Sequence, residues 1–272
     1  MMAFSSSPMK AIHQFVAGFT EGDAISNEAR VMRDLFTSWG YASRIFCEAR
    51  RIPSELAKEA EDTSVCVKSV GPDDVVLLHL SIGSPVNDVF TQLSCRKAIL
   101  YHNVTPPDFF KGIQEQTRNN LRRGREQVAQ LAGAADVNMA DSAYNAGEIE
   151  ELGYKDVKVL PLVLKLDRLT ESSCGKTLRK YDDGKTNILF VGRCAPNKRL
   201  EDLVSAFYYY QNYVDTESRF IHVGSFAGTE RYKAVLQTHA RDLRLNDFNF
   251  VGSARQPVLN ACYRSAHVFL CM

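Results

Sequence analysis

No stretch of the sequence approaches the roughly 20 consecutive apolar residues a helix needs to cross a bilayer, although 45% of its 272 residues are hydrophobic. The apolar residues come in short packets, the format of a buried globular core. Paired cysteine motifs are missing as well. The seven cysteines (47, 66, 95, 174, 194, 262, 271) are scattered, odd in number and never spaced Cys-x-x-Cys. That argues against a disulfide framework or zinc site and for a reducing cytosol. No charge sign dominates: 33 Lys+Arg against 32 Asp+Glu leave a net charge of +1. Composition therefore gives no support to broad nucleic-acid or polyanion binding, and phosphate recognition has to be local. The opening residues lack both the basic and the long apolar segments of a signal peptide; residues 1–8 read as a loose tail, with Met9 as an alternative start. No repeat of 20–50 residues is present.

What is there is strand–helix alternation. Residues 10–17 suit a strand that ends in a glycine-containing loop, Gly18-Phe19-Thr20-Glu21-Gly22-Asp23. From Ala24 the period lengthens: Ile25, Ala29, Met32, Leu35, Phe36 and Trp39 share one helical face, and Gly40 follows as a stop. Strands are expected at 43–47, 75–80, 97–101, 135–140 and 157–160, and a short extended piece at 65–67. Helices are expected at 53–60, from 85 to about 93, at 113–132, and from the cap Ser142 to Gly153. The packet Val75-Val76-Leu77-Leu78-His79-Leu80 is continuous rather than alternating, as in a parallel strand covered on both faces. Residues 166–185 are charged, rich in Ser, Gly and Lys and without apolar period; they read as a linker or an irregular crossover between domains. Further strands at 187–191, 219–223, 248–251 and 267–271 alternate with helices at 200–213, 229–243 and 256–264. The pattern predicts an α/β protein with two parallel-sheet domains, 9–165 and 186–272, facing across a cleft. The second holds fewer elements and reads as incomplete, ending on a strand at Met272.

The most informative stretch is Asn187-Ile188-Leu189-Phe190-Val191-Gly192-Arg193-Cys194-Ala195-Pro196-Asn197-Lys198-Arg199-Leu200. A strand runs into a glycine turn and a basic loop, and a helix starts. Arg193 and Lys198 then lie at a strand's carboxyl end and near a helix amino terminus, where an anionic phosphate binds at low cost.

Several of these residues resemble one family. Phe190-Val191-Gly192-Arg193 with Pro196-Asn197-Lys198-Arg199 resembles the donor-phosphate segment of the family-4, GT-B-fold glycosyltransferases. Val223-Gly224, Phe250-Val251-Gly252-Ser253 and Tyr263-Arg264-Ser265-Ala266-His267-Val268-Phe269-Leu270 resemble the strand ends and strand entry that follow it. Upstream, Ser142-Ala143-Tyr144-Asn145, Leu152-Gly153-Tyr154 and Val159-Leu160-Pro161-Leu162 resemble the family's late amino-terminal domain. The resemblance covers nearly the whole chain. It implies two Rossmann-like domains and transfer of a sugar, with retention, from a nucleoside-diphosphate sugar to a glycan, lipid or other acceptor, as in polysaccharide biosynthesis. It implies neither a bound metal nor a cofactor. Arg193 and Lys198 would stabilise the leaving diphosphate, and His102 would contact the donor sugar. Gly22 and Asp23 would lie near the phosphates, where the family has a glycine pair. Gly192, Gly224, Gly252 and Ser253 would line the donor site. The family's carboxylate pair, two Glu seven residues apart, would fall beyond Met272, so this chain is expected to be carboxyl-terminally truncated and weak or inactive alone. A cytoplasmic enzyme is implied, with peripheral contact at the membrane inner face left open.

Plainer readings stand beside these. Lone basic pairs are usually surface charge, and a histidine such as His102 is usually a satisfied loop or core residue. His79 and Ser81 are candidates for cleft lining, but His79 sits in an apolar packet and equally suits the sheet. The cluster Arg122-Arg123-Gly124-Arg125 suits a solvated face, with contact to an anionic acceptor as the alternative. A non-catalytic binding subunit on the same fold is a second functional class. A nicotinamide-dependent oxidoreductase is a third, and the first loop lacks its Gly-x-Gly-x-x-Gly fingerprint.

Overall fold

The computed structural model describes residues 11–272, apart from the side chain of Val67; the expected tail, Met9 and Lys10 lie outside the described residues. The chain divides into two compact units, one of residues 11–107 and Gln116–Lys165, the other of Asp108–Glu115 and Leu166–Met272. The segment between residues 107 and 116, expected within the first domain, thus clusters with the second unit.

In the first unit the strands are β1 (Ile12–Val16), β2 (Ile45–Cys47), β3 (Glu61–Asp62), β4 (Val75–Leu80), β5 (Arg96–Tyr101), β6 (Val137–Ala140) and β7 (Lys158–Val159). Helices α1 (Ala24–Ser38), α2 (Thr63–Ser69), α3 (Pro85–Gln92), α4 (Glu115–Gln130) and α5 (Ala143–Glu151) connect them. The sheet order is β3-β2-β1-β4-β5-β6-β7, and every pairing is parallel. The order reverses between β1 and β4, which opens a crevice at the strands' carboxyl ends. One face is covered by α1 through Ala29, Met32 and Phe36. On the other, the Phe15 ring lies 5.2 Å from Phe46 and 6.5 Å from Phe90 of α3. A sheet covered on both faces needs the apolar run seen in β4, whose Val76–Leu80 are all buried.

The second unit contains α6 (Gly175–Tyr181), β8 (Thr186–Val191), α7 (Leu200–Tyr213), β9 (Ser218–Val223), α8 (Glu230–Asp242), β10 (Phe248–Gly252), α9 (Gln256–Ser265) and β11 (Val268–Phe269). Its parallel sheet has the order β10-β9-β8-β11, so the reversal falls between β8 and β11. The alternation along β8 shows how it is sandwiched. Ile188 and Phe190 pack with Leu200, Leu203, Val204 and Phe207 of α7 and with α8, while Leu189 packs with Tyr181 of α6 and Cys262 of α9.

Two local expectations fail, and the expected linker is partly structured. Residues 65–67 are helical, not extended: Asp62 accepts from Ser64 N at 2.8 Å and from Ala49 N at 2.6 Å, and this N-cap starts α2 despite the β-branched valines. Only the turn Ser54–Leu56 forms within the helix expected at 53–60. The expected linker carries the turn Leu166–Leu169 and α6. It is anchored by buried Tyr181 and by side-chain and main-chain bonds, Asn260 Nδ2 to Arg168 O at 2.8 Å and Cys174 N to Pro257 O at 2.8 Å. Anchoring of that kind leaves no apolar period to read. Among the described residues no helix is long and apolar enough to cross a membrane.

Candidate functional site

In the second unit the strand ends are stitched together by main-chain bonds. Gly192 N donates to Val223 O at 2.9 Å, Cys194 N to Ser225 O at 2.8 Å, and Gly224 N to Gly252 O at 2.9 Å. The packing leaves no room for side chains. A Cβ on Gly224 would lie 1.9 Å from Gly192 O, and one on Gly192 would meet the Phe190 ring at 2.9 Å. Gly252 adopts φ 81°, and Ser253 beside it is exposed. Gly192, Gly224 and Gly252 therefore bring the loops after β8, β9 and β10 to one end of the sheet, and of these strands β8 borders the reversal toward β11.

Arg193 is exposed there and donates from Nη2 to Ala227 O at 3.0 Å. Lys198 is also exposed, at the end of the tight turn Pro196–Lys198. Arg199 follows in the left-handed region at φ 47°, ion-paired with Asp202. The first turn of α7 is not a bare donor end. Leu200 N donates to the Tyr232 hydroxyl at 3.0 Å, Tyr232 hydrogen-bonds Glu201, and Glu201 and Asp202 make the turn acidic. Attraction for an anion here rests on the loop cations rather than on this helix terminus. Burial pushes the Cys194 thiol up to about 11, so it stays protonated as a small packed residue.

Sequence reasoning missed Lys233 of α8. Its Nζ lies 3.9 Å from the centroid of the Phe226 ring, and its charge acts on both His222 and Cys194. A lysine on a polar helix face carries no sequence signal of that kind.

In the first unit the loop after β1 carries Gly22 at φ 73°, exposed, with open space around a notional Cβ. Asp23 is engaged as the N-cap of α1, accepting from Ser26 N and Ser26 Oγ at 2.8 Å each. Ser81 is half-buried just past β4.

His79 and His102 are joined directly. Gln14 Nε2 donates to Ala29 O at 2.9 Å, His79 Nε2 meets Gln14 Oε1 at 3.0 Å, and His79 Nδ1 meets His102 Nε2 at 3.0 Å. Two carboxylates flank the pair. Glu28 Oε2 is 3.5 Å from His102 Nε2 and 3.8 Å from His79 Nδ1, and Asp141 Oδ2 is 3.5 Å from His102 Nδ1. The His102 side chain is only 2% exposed although the residue as a whole is half-buried, so what it presents outward is main chain. Asn103 follows in the left-handed region at φ 69° and is held through Nδ2 by Asn145 Oδ1 at 2.8 Å and Glu148 Oε2 at 3.2 Å. Burial, with the neighbouring His102, pushes His79 well below the ordinary histidine value, so it is neutral. Burial raises Glu28, partly opposed by His102 and the Val163 N–H. Burial also acts upward on Asp141, but His102 and the Asn145 amide outweigh it and the net shift is downward.

Glu28, His79 and His102 place three potential metal-ligand atoms within 4.8 Å of one another. The rings, however, are coplanar to 5° with centroids 5.2 Å apart. That is close to the N···N distance plus the two ring radii, so the nitrogens point at each other along the line of centres. This is hydrogen-bond geometry; lone pairs converging on an ion would meet at an angle.

The arginine cluster of α4 is paired: Arg123 with Asp88 at 2.6 Å, Arg125 with Glu148 at 3.2 Å, and Arg122 with Asn119 Oδ1 at 3.3 Å.

No protein-family model matches the sequence, and no curated protein matches it. Solved structures do. A sucrose-phosphate synthase from Thermosynechococcus elongatus is 14% identical with a TM-score of 0.69, covering 96% of this chain and 75% of that one. An α,α-trehalose-phosphate synthase (UDP-forming) from Burkholderia xenovorans, in complex with glucose-6-phosphate, is 11% identical with a TM-score of 0.68 over 94% of this chain and 78% of that one. An E. coli structure described as trehalose-6-phosphate bound with UDP-2-fluoro glucose is 9% identical with a TM-score of 0.66 over 96% and 78%. At these identities the likeness is one of fold: two parallel α/β sheets of the GT-B type.

Proposed function

We propose that the protein is a retaining glycosyltransferase of the family-4 type, moving a sugar from a nucleoside-diphosphate sugar to a glycan, lipid or other acceptor. The observation that carries this reading is the loop after β8: Arg193 and Lys198, both exposed, follow a glycine wedged against Gly224 at the carboxyl ends of β8 and β9. As the bond between the anomeric carbon and the β-phosphate oxygen breaks, its electron pair leaves with the diphosphate and negative charge grows there. Arg193 supplies a planar fork of donors and Lys198 a point charge, so protein cations take the place of a divalent metal. The fold is that of structures described with UDP-2-fluoro glucose and with glucose-6-phosphate, which supports a nucleotide-sugar donor. The donor-site reading of Gly192, Gly224, Gly252 and Ser253 follows from the same loop cluster. In the first unit, Gly22 and the main chain at His102 lie at the carboxyl ends of the strands, where ligands bind in open α/β sheets.

Thermal shift with UDP, GDP and nicotinamide nucleotides tests the reading. Stabilisation by a nucleoside diphosphate that disappears in Arg193→Ala is expected; stabilisation by nicotinamide nucleotides alone would end it. Turnover on a panel of nucleotide-sugars then separates an enzyme from a binding subunit.

A further inference from the structure

The buried chain Gln14–His79–His102 has one consistent assignment of its protons. Gln14 Nε2 is a donor because it lies 2.9 Å from Ala29 O, a carbonyl that only accepts. Gln14 Oε1 must then accept, so His79 Nε2, 3.0 Å away, carries a hydrogen. His79 is fully buried and neutral, so its Nδ1 is a bare lone pair. The atom facing that lone pair in line at 3.0 Å is His102 Nε2, and two lone pairs so placed would repel. His102 Nε2 therefore carries a hydrogen. The remaining nitrogen, Nδ1, has no hydrogen-bond partner but faces Asp141 Oδ2 at 3.5 Å.

We propose that His79 is a positioning residue that, through Gln14, fixes His102 with a proton on Nε2 and turns Nδ1 toward Asp141. Buried Glu28, whose Oε2 has no hydrogen-bond partner and lies 3.5 Å from the same Nε2, reinforces this proton. An imidazole bonded at one nitrogen is held in tautomer and in ring orientation together. The ring in turn seats the main chain of residues 102 and 103 at the end of β5, where Asn103 is left-handed. The proton assignment stands on the hydrogen-bond geometry together with the neutrality of the fully buried His79; its meaning for sugar transfer rests on the glycosyltransferase reading above.

The test is nitrogen NMR on the full chain labelled at its histidines. There are six, and His102→Asn identifies the signal of interest. Two patterns for His102 support the proposal, the neutral Nε2–H ring and the doubly protonated ring, since both carry the Nε2 hydrogen. The neutral Nδ1–H tautomer, or an exchanging mixture, would overturn it. His79→Leu removes the acceptor and is expected to release His102 into a tautomer mixture; an unchanged pattern there would overturn the positioning role. His79→Asn places an oxygen where Nδ1 was and is expected to restore the pattern, and failure to restore it in a folded protein would assign the effect to packing and overturn the role. If His79→Leu does not fold, Gln14→Leu is expected to randomise the His79 ring and with it His102, and an unchanged His102 pattern there would overturn the proposal. Nucleoside-diphosphate binding is measured on the same samples. A fixed His102 without nucleotide binding would sink the glycosyltransferase reading and leave the lock standing; binding with a mixed tautomer would do the reverse.

Discussion

His222 Nε2 lies 3.0 Å from the carbonyl oxygen of Gly192, a buried histidine of β9 donating to the turn that introduces the basic loop. Its ring is sandwiched between Phe190 at 5.7 Å and Phe250 at 5.4 Å. Burial, opposed by the bond to Gly192 and aided by Lys233, brings its pKa down to about 4. In the unfolded chain the same group titrates near about 6.5. Between these values the unfolded state binds more protons, so this contribution is complete above about pH 6.5 and is lost as the pH falls toward 4. The loss has a ceiling of about 3 kcal/mol. Urea denaturation of the unsubstituted protein and of His222→Gln, between pH 7 and pH 4, isolates it. The substituted protein is expected to lose less stability across that window; parallel curves would show that His222 is not held neutral.

Gly224 is the position least able to accept a side chain, because the atom a Cβ would strike at 1.9 Å is the main-chain oxygen of Gly192. Gly224→Ala is expected to cost about 1–3 kcal/mol or more and to displace the turn ahead of Arg193. Gly147 is the contrast. It lies inside α5, and a Cβ there meets nothing within 4 Å. Gly147→Ala is expected to gain about 0.5–1 kcal/mol from helix propensity. Midpoints of urea unfolding for the two variants should therefore move in opposite directions.

Tyr232 serves α7 from a distance. Its hydroxyl accepts the N–H of Leu200, a residue with no exposure, and hydrogen-bonds Glu201. Tyr232→Phe leaves that N–H buried and unpaired, at an expected cost of about 1–3 kcal/mol, visible in the unfolding midpoint without loss of far-ultraviolet dichroism.

How much of this could be read beforehand depends on range. β4 and β8 announce themselves because a strand covered on both faces is apolar over most of its length, His79 and Asn187 being the buried exceptions, and Ser142 is legible as a cap because capping is decided within three residues. α2 is not legible because Val65 and Val67 favour a strand locally, whereas two bonds to Asp62 decide the matter. The contact between His79 and His102 joins side chains 23 residues apart across neighbouring strands, and nothing local marks it. Each histidine could be named as a candidate, but their hydrogen bond, and the burial of the His102 ring, follow only from the sheet order. Lys233 was invisible for the same reason: its partner Phe226 lies in the preceding loop, and helix periodicity marks only apolar faces.

Arg193 and Lys198 differ in chemistry, and their replacements should differ as well. Both are exposed, so neither Arg193→Ala nor Lys198→Ala should change the unfolding free energy by more than about 0.5 kcal/mol. Loss of a donor aimed at developing charge typically costs about 2.7–4 kcal/mol at the transition state, equivalent to a fall of about 100- to 1000-fold in kcat. Arg193→Lys keeps the charge but removes the planar fork that also reaches Ala227 O, so it should recover only part of that loss. Lys198→Arg keeps the positive charge, and among the described residues Lys198 has no fixed partner to disturb, so it should recover more. Steady-state rates of nucleoside-diphosphate release, with a nucleotide-sugar that supports turnover, check the order: unsubstituted protein, then Lys198→Arg, then Arg193→Lys, then the two alanine variants. Equal rates in the arginine-to-lysine variant and the unsubstituted protein would mean that Arg193 acts only through its charge.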